Sequence, residues 1–202
     1  MTSAPHEDDK RLMLLVRDGD REAFEALVNR HKQAVINLIY RTLPDAAEAE
    51  DLAQQVFLQV YKSAKRYRPT AKFTTWLFTI ARNLCLNEIR RRSRHPTEPL
   101  DSPDHWQQPT RPLHGAAIES PPEHVLHAEL EQKISLCIAS LPESQRTALQ
   151  LYCGEELSYE EISKILDCSL SATKSILHRA RETLKLRLKP YLRTGTWIGA
   201  EK

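Results

Sequence analysis

Residues 66–76 combine positive charge with aromatic rings in a pattern suited to nucleic acid. Arg66 and Arg68 flank Tyr67, and the rings of Phe73 and Trp76 follow within ten residues. Cations of this kind follow a phosphate backbone while aromatic rings stack on unpaired bases, at about 1–3 kcal/mol per base. The segment therefore favours binding of single-stranded nucleic acid. The alternative is that Phe73 and Trp76 are core residues beside solvated arginines.

An arginine-rich stretch, residues 82–94, continues this basic character. It begins at Arg82 and ends at Arg94, and it contains the run Arg90 to Arg92 and one acidic residue, Glu88. Asn83 and Asn87 lie one helical turn apart on the same predicted helix, a spacing at which two amides can face one base edge. Two asparagines alone do not establish such a contact.

Residues 158–187 have the layout of a helix-turn-helix. A short helix capped by Ser158 is followed by a break at residues 167–169 and a longer basic helix. A helix that enters the major groove presents polar side chains near its N-terminus. The alternative is an amphipathic helix with a solvated basic face. The candidates for base contact are Ser171, Thr173, Lys174, Ser175 and His178, and those for phosphate contact are Arg179, Arg181 and Lys185.

Helices position all of these side chains. Few glycines and abundant Leu, Ala, Glu, Arg and Lys predict an all-α protein. Asp20 is a predicted N-cap, and Pro44 with Asp45 separates the second helix from the third. Ser158 and Glu161 have the spacing of a capping box, and Pro142 suits a first helical turn.

Charge and proline divide the chain into two helical blocks. Residues 52–93 carry nine Lys or Arg against one acidic residue, and residues 164–202 carry nine against three. Acidic stretches precede both, so each block can present a basic face to a polyanion. Seven of the 12 prolines fall in residues 94–122, which predicts a linker because proline disfavours a continuous helix. Two small helical domains joined by a flexible linker are expected.

Several classes of function are disfavoured. No apolar run approaches the ~20 residues that span a bilayer, and the polar N-terminus predicts a cytoplasmic protein without membrane insertion. No catalytic set or phosphate loop is present, so neither enzymatic activity nor a cofactor is expected. The four cysteines lack Cys-x-x-Cys spacing and are read as buried thiols. A redox pair, or a zinc site with His124 and His127, is the alternative.

Several motifs together resemble one family. Residues 45–58 and 73–83, with the arginines at 90–92, resemble region 2 of bacterial sigma factors, and residues 141–151 and 157–166 resemble region 4. By this resemblance the chain is identified as a member of the extracytoplasmic-function (ECF, group IV) class of the sigma-70 family. The implied organisation is a region 2 domain at 1–94, a Pro-rich linker at 95–122, a region 4 domain at 123–190 and a tail at 191–202.

The resemblance implies a function and partners. Region 2 would dock on the β′ clamp helices of core RNA polymerase and open the −10 element of promoter DNA, and region 4 would bind the −35 element and the β flap. An anti-sigma factor is a further possible partner, and an envelope or stress response a possible setting. The implied polymerase contacts are Asp51, Gln54, Gln55 and Phe57. The implied −10 contacts are Arg66, Tyr67, Arg68, Phe73, Thr74, Trp76, Asn83, Asn87, Arg90 and Arg91. The implied −35 contacts are Ser171, Thr173, Lys174, Ser175, His178, Arg179 and Arg181.

Two positions depart from the family pattern. Gln55 stands where the family usually has Glu, and Ile176 stands where an arginine is frequent, which leaves Lys174 and Arg179 as the expected −35 phosphate contacts. A rival interpretation is a stand-alone helix-turn-helix regulator whose first block senses a ligand or partner. Such a sensor would not need aromatics beside an arginine-rich helix. A zinc-dependent nucleic-acid hydrolase would require bound metal.

Overall fold

Eight α-helices make up the part of the chain that the structure describes. The computed structural model describes the backbone of residues 5–43, 45–94 and 121–194, and the side chains of 8–43, 45–94 and 129–193. The first block contains α1 (Pro5–Arg17), α2 (Arg21–Thr42), α3 (Ala46–Ser63) and α4 (Phe73–Arg94). The second contains α5 (Pro121–Ala139), α6 (Glu143–Cys153), α7 (Tyr159–Leu166) and α8 (Leu170–Thr194). The all-α prediction is confirmed.

Two predicted segments fall largely outside the described residues. The linker, residues 95–122, contributes only its last two residues, with which α5 begins. The tail, residues 191–202, contributes residues 191–194, which complete α8.

The predicted helix starts are confirmed, because local polar groups satisfy the first amides of each helix. The Asp20 carboxylate accepts from Ala23 N at 3.0 Å. Ser158 and Glu161 form the reciprocal capping box. Pro142 lies one residue earlier than predicted, at the N-cap of α6. The residues whose side chains cap a helix in this way are Asp20, Asp45, Ser158 and Ser169.

A buried polar cluster ties α1 to α2 within the first block. Asp9 is 2% exposed, and its carboxylate lies 2.5 Å from Arg30 Nη1 and 2.9 Å from His31 Nε2. Burial alone would raise the pKa of Asp9, but the hydrogen bonds and charges of His31 and Arg30 outweigh it and lower the pKa. The short first helix is thereby fixed to the block that carries the aromatic residues.

The two blocks pack directly against each other. Helix α6 contacts α2, and α7 contacts α4, so that Leu151 and Ile165 join the same apolar core as Leu38 and Phe78. Arg146 of α6 donates to the carbonyl of Arg41 on α2 at 2.9 Å. A smaller cluster packs α6 against α8 and the end of α5; its buried members are Leu141, Leu149 and Ala180. The described fold is thus a closed arrangement in which helices of the second block cover part of the first. We call the contact of α6 and α7 with α2 and α4 the interblock contact.

Candidate nucleic-acid and polymerase interfaces

The aromatic residues before and within α4 form one cluster with a single ring at its edge. Trp76 lies 5.1 Å from Tyr67 and 6.1 Å from Phe73, ring centre to ring centre. Tyr67 is 6% exposed and Phe73 1%, so both belong to the core, whereas Trp76 is half-buried. The alternative weighed from sequence therefore holds for Phe73, and Trp76 is the ring of this cluster that can reach a base.

Buried polar groups surround this cluster. The hydroxyl groups of Tyr67 and Thr74 are buried and have no hydrogen-bond partner among the described residues. Burial, with a smaller contribution from the charge of Asp9, raises the pKa of Tyr67. Arg66 and Arg68, by contrast, are exposed on either side of Tyr67. This segment therefore presents two cations beside the half-buried indole of Trp76. Tyr67, Phe73 and Thr74 are buried and support it from the core.

Helix α4 continues this surface as a polar stripe. Asn83, Asn87 and Arg90 are exposed and lie seven, eleven and fourteen residues after Trp76, spacings that keep them on one helical face. At about 1.5 Å per residue the stripe extends about 21 Å from Trp76 to Arg90. It can thus follow several nucleotides of an extended strand.

Arg91, the next residue, is engaged elsewhere. Its guanidinium donates to both carboxylate oxygens of Glu88, at 2.7 and 2.6 Å. The hydrogen bond and charge of Glu88 raise the pKa of Arg91. A phosphate contact by Arg91 would have to replace this exposed ion pair, whereas Arg90 forms no ion pair with any described residue.

Helix α3 presents the residues implied in polymerase binding, with one correction. Asp51, Gln54 and Gln55 are exposed on one face. Phe57, expected to look outward, is 7% exposed and packs in the core, so that expectation is wrong. Leu58 is instead 56% exposed and lies seven residues after Asp51, two turns along the same face. Sequence reasoning missed Leu58, although the helical register of Asp51 would have found it.

Helix α8 presents almost the whole set implied in duplex reading. The exposed members are Ser171, Lys174, Ser175, His178, Arg179 and Arg181. Thr173 is fully buried, and its hydroxyl lies 3.2 Å from Ser169 O and from Cys168 Sγ. A direct base contact by Thr173 is therefore excluded in this structure, where its side chain holds the turn before α8.

Arg181 is exposed but braced against the neighbouring helices. Its guanidinium carbon lies 4.6 Å from the ring centre of Tyr152, and Nη1 donates to Tyr159 Oη at 3.2 Å. The hydrogen bond with Tyr159 is the main cause of its raised pKa. This cation–π and hydrogen-bonded arrangement helps hold α8 against α6 and α7.

The cysteines divide between core and surface. Cys85 and Cys137 are buried, Cys168 is half-buried and Cys153 is exposed. Burial raises the pKa of Cys85 to about 12, which keeps it a thiol at neutral pH. Over the described residues there is no cluster of three or more His, Cys, Asp or Glu side chains placed to hold a metal ion. The side chains of His124 and His127 lie outside the described residues.

Within residues 5–43, 45–94 and 121–194 no helix has both the length and the apolar character needed to span a membrane.

Comparison with protein families identifies both blocks. The family described as Sigma-70 region 2 matches residues 27–95, which include α3, α4 and, between them, residues 66–72, which we call the aromatic loop. The family described as Sigma-70, region 4 matches residues 131–184, which include the helix-turn-helix of α7 and α8. The two matches occur in the order that the sequence motifs implied.

Individual relatives agree with these matches over nearly the whole chain. The RNA polymerase sigma-H factor of Pseudomonas aeruginosa is 36% identical over 191 residues, covering 93% of this chain and 97% of the relative. The ECF RNA polymerase sigma-E factor of Escherichia coli K12 is 34% identical over 187 residues, covering 92% and 96%. In fold, the chain resembles the sigma factor RpoE of Bartonella quintana, solved with the anti-sigma factor NepR, at a TM-score of 0.63 and 24% identity, covering 82% of this chain and 96% of that chain. The chain therefore belongs to the sigma-70 family, in its ECF class, and is a sigma factor that directs RNA polymerase.

Proposed function

We propose that three separate surfaces of this chain divide the work of promoter recognition. The stripe on α3 binds the β′ clamp helices of core RNA polymerase, the N-terminal half of α8 reads duplex DNA at the −35 element, and α4 with its preceding loop captures the −10 strand. The observation that carries the proposal is the exposure of all three polar surfaces on helices whose opposite faces are buried. Phosphodiester bond formation stays with the polymerase, and we infer that the protein acts in the cytoplasm with it.

The α3 stripe supports the docking role because it mixes polar and apolar contacts. Asp51, Gln54 and Gln55 offer hydrogen-bonding groups, and Leu58 beside them is an exposed apolar side chain. Interfaces commonly place a few apolar anchors inside a polar rim. We therefore assign polymerase docking to these four residues and leave Phe57 as their support from the core.

The surface of α4 supports capture of an unpaired strand. Trp76 supplies a ring for stacking, Asn83 and Asn87 supply amides for base edges, and exposed arginines flank both ends. Unstacking a base costs a few kcal/mol. Stacking on an indole and phosphate contacts with Arg66, Arg68 and Arg90 can offset that cost.

The surface of α8 supports duplex reading because its polar side chains are near the start of a long helix. Ser171, Lys174, Ser175 and His178 recur at three- and four-residue spacing, which suits a helix lying in the major groove. Arg179 lies beside them on the flank, where a phosphate contact is possible.

An anti-sigma factor is a proposed regulatory partner. The Bartonella quintana relative in fold was solved with one bound. We infer that this chain is also held inactive by such a protein, and affinity capture of the full-length chain from its own cells would test this. Recovery of the polymerase subunits alone, before and after envelope stress, would contradict it.

Run-off transcription tests the proposed function directly. The full-length chain is mixed with core polymerase lacking its own specificity subunit and with a library of genomic fragments. We expect transcripts whose start regions share two sequence elements. No stable complex with core polymerase and no transcript would instead support a stand-alone helix-turn-helix regulator.

Docking through α3 can be tested with a matched pair of variants. Gln54→Ala with Leu58→Ala should weaken binding to core polymerase by at least about tenfold, because both side chains are proposed to lie in the interface. Gln33→Ala on α2 is the control, since Gln33 is also an exposed glutamine of the first block but lies on another helix. Equal binding by both variants would show that Gln54 and Leu58 do not lie in the interface with core polymerase.

A further inference from the structure

Acidic residues of the second block meet basic residues of the first across the interblock contact. Lys72 Nζ lies 2.9 Å from Glu161 Oε1, and Arg82 Nε lies 3.7 Å from Glu143 Oε1. These pairs join the segment of highest positive charge, residues 52–93, to the acidic segment at 123–163, which carries eight acidic and two basic residues. The charge blocks recognised in the sequence therefore meet within one molecule.

Arg82 is poorly satisfied in this position. Its side chain is 14% exposed, yet Nε has no hydrogen-bond partner among the described residues. Glu143 Oε1 lies 3.7 Å from Nε and the carbonyl oxygen of Ile165 lies 3.5 Å from Nη1, both at or beyond the usual limit of a hydrogen bond. A guanidinium removed from water with such loose contacts is costly to hold. The closed chain therefore does not provide the best partner for Arg82.

Both cations lie next to the proposed strand-capturing surface. Lys72 is four residues before Trp76 at the end of the aromatic loop, and Arg82 directly precedes Asn83. Carboxylates and phosphates are interchangeable partners for such cations, because both offer charged oxygen acceptors. We propose that Lys72 and Arg82 are phosphate-binding residues for the −10 strand, and that Glu161 and Glu143 occupy their places in the closed chain. The second block is then an internal competitor for the strand, an inference that rests on the proposed function.

The distance between the two promoter elements requires the second block to separate from the first. Elements centred near −10 and −35 lie about 25 base pairs apart, which is about 85 Å at about 3.4 Å per base pair. In the closed chain α7 touches α4, and the reading end of α8 follows α7 after a three-residue turn. One closed molecule therefore cannot contact both elements. The opening that lets α8 reach −35 also removes the carboxylates from Lys72 and Arg82.

The interblock contact covers part of the proposed strand-binding surface but leaves the proposed duplex-binding surface exposed. The interblock contact buries Glu161 and covers Arg82, but Ser171, Lys174 and His178 on α8 stay exposed. Duplex binding by the free chain is therefore expected without opening, whereas single-strand binding is expected to be suppressed. This difference separates internal competition from a general loss of affinity.

A pair of charge-matched variants of the full-length chain tests the proposal without polymerase. Glu143→Gln with Glu161→Gln removes both carboxylate charges, and glutamine at position 161 still completes the capping box. Glu156→Gln with Glu160→Gln is the control, because it makes the same change of net charge at two exposed residues of the same block. The probes are a mixed-sequence single-stranded DNA and a mixed-sequence duplex, followed by fluorescence anisotropy, and the radius of gyration is followed by small-angle X-ray scattering.

We expect the Glu143/Glu161 variant to bind single-stranded DNA about tenfold more tightly than the control variant. Exposed ion pairs each contribute up to about a fivefold effect, and we apply this figure to both pairs because the Lys72 side chain is 44% exposed. Its radius of gyration should increase, and its duplex affinity should equal that of the control. Equal single-strand affinity of the two variants, or an equal gain for duplex, would overturn the proposal. If circular dichroism shows that the double variant has lost helix, Glu143→Gln alone against Glu160→Gln gives the same comparison, with about a threefold gain expected. These readouts contain no polymerase, so the proposal can fail while promoter-directed transcription still succeeds.

Discussion

The two proposed nucleic-acid surfaces of this sigma factor are built differently. In the first block the aromatic residues implied in strand capture are mostly core: Tyr67 and Phe73 are buried, and only Trp76 reaches the edge. In the second block nearly all the implied side chains point away from the core, and only Thr173 is buried. A ring that must hold an unstacked base has to be fixed by packing, whereas a helix that enters a groove needs only an exposed polar face.

This contrast has a consequence for mutation. In the first block, substitutions in the binding set should alter stability and function together. In the second block, substitutions in the binding set should alter function with little effect on stability.

Phe73→Ala should produce the largest loss of stability. The ring is 1% exposed, so its removal leaves a cavity and should lower the free energy of unfolding by about 3–5 kcal/mol. Urea unfolding followed by circular dichroism measures the change, and Phe73→Leu should recover part of it. A loss below about 1 kcal/mol would show that Phe73 is not part of a well-packed core.

Trp76→Ala should affect promoter opening more than duplex binding. Loss of one stacking platform costs about 1–3 kcal/mol, or roughly five- to hundredfold in the extent of opening. Permanganate reactivity of unpaired thymines reports opening, and a gel shift on closed duplex reports binding. Trp76→Phe should restore part of the opening. Equal losses in both assays would show that Trp76 serves only the core.

Asp9→Asn should make stability less dependent on pH. The pKa of Asp9 is lowered in the folded chain, so its carboxylate stabilises the fold above the ordinary value of 3.8, and this contribution is lost as pH falls through the folded pKa. At neutral pH we expect a loss of about 1–3 kcal/mol, because His31 and Arg30 keep their positions without a charged partner. Thermal unfolding between pH 3 and pH 7 should show the two proteins converging at acid pH. A constant difference over that range would contradict the assigned role.

Lys174→Ala should weaken duplex binding with little effect on stability. Its exposed ammonium is proposed to contact a phosphate, so the salt dependence of the binding constant should fall by about 0.9 in slope. Lys164→Ala on α7 is the control, since Lys164 is an exposed lysine of the same helix-turn-helix. An unchanged slope for Lys174→Ala would place the phosphate contact elsewhere.

Local features of the sequence predicted the helices well. The caps at Asp20 and Ser158, the separation of α2 from α3 and the break at residues 167–169 depend on groups within a few residues, and the structure confirms each of them. The order of the two sigma regions also followed from local motifs, and the family matches confirm it.

Contacts that depend on helical register or on distant residues were not predicted. Phe57 and Leu58 are adjacent, so a rotation of about 100° about the helix axis decides which one faces the core. We expected Phe57 on the surface, but Phe57 is buried and Leu58 is exposed. Thr173 was expected to be exposed because its neighbours are polar, but the turn at Cys168 and Ser169 buries it. The pairing of Arg82 with Glu143 joins residues that are far apart in the chain, which no local pattern specifies.

Footprinting of the assembled polymerase tests most directly whether the two blocks perform separate tasks. On a promoter selected by run-off transcription, we expect two protected elements about 25 base pairs apart, with unpaired thymines at the downstream one. Lys174→Ala with Arg179→Ala should remove upstream protection, whereas Trp76→Ala should remove thymine reactivity and leave the upstream footprint in place. If both variants lose both signals to the same extent, the division of labour between α4 and α8 is contradicted.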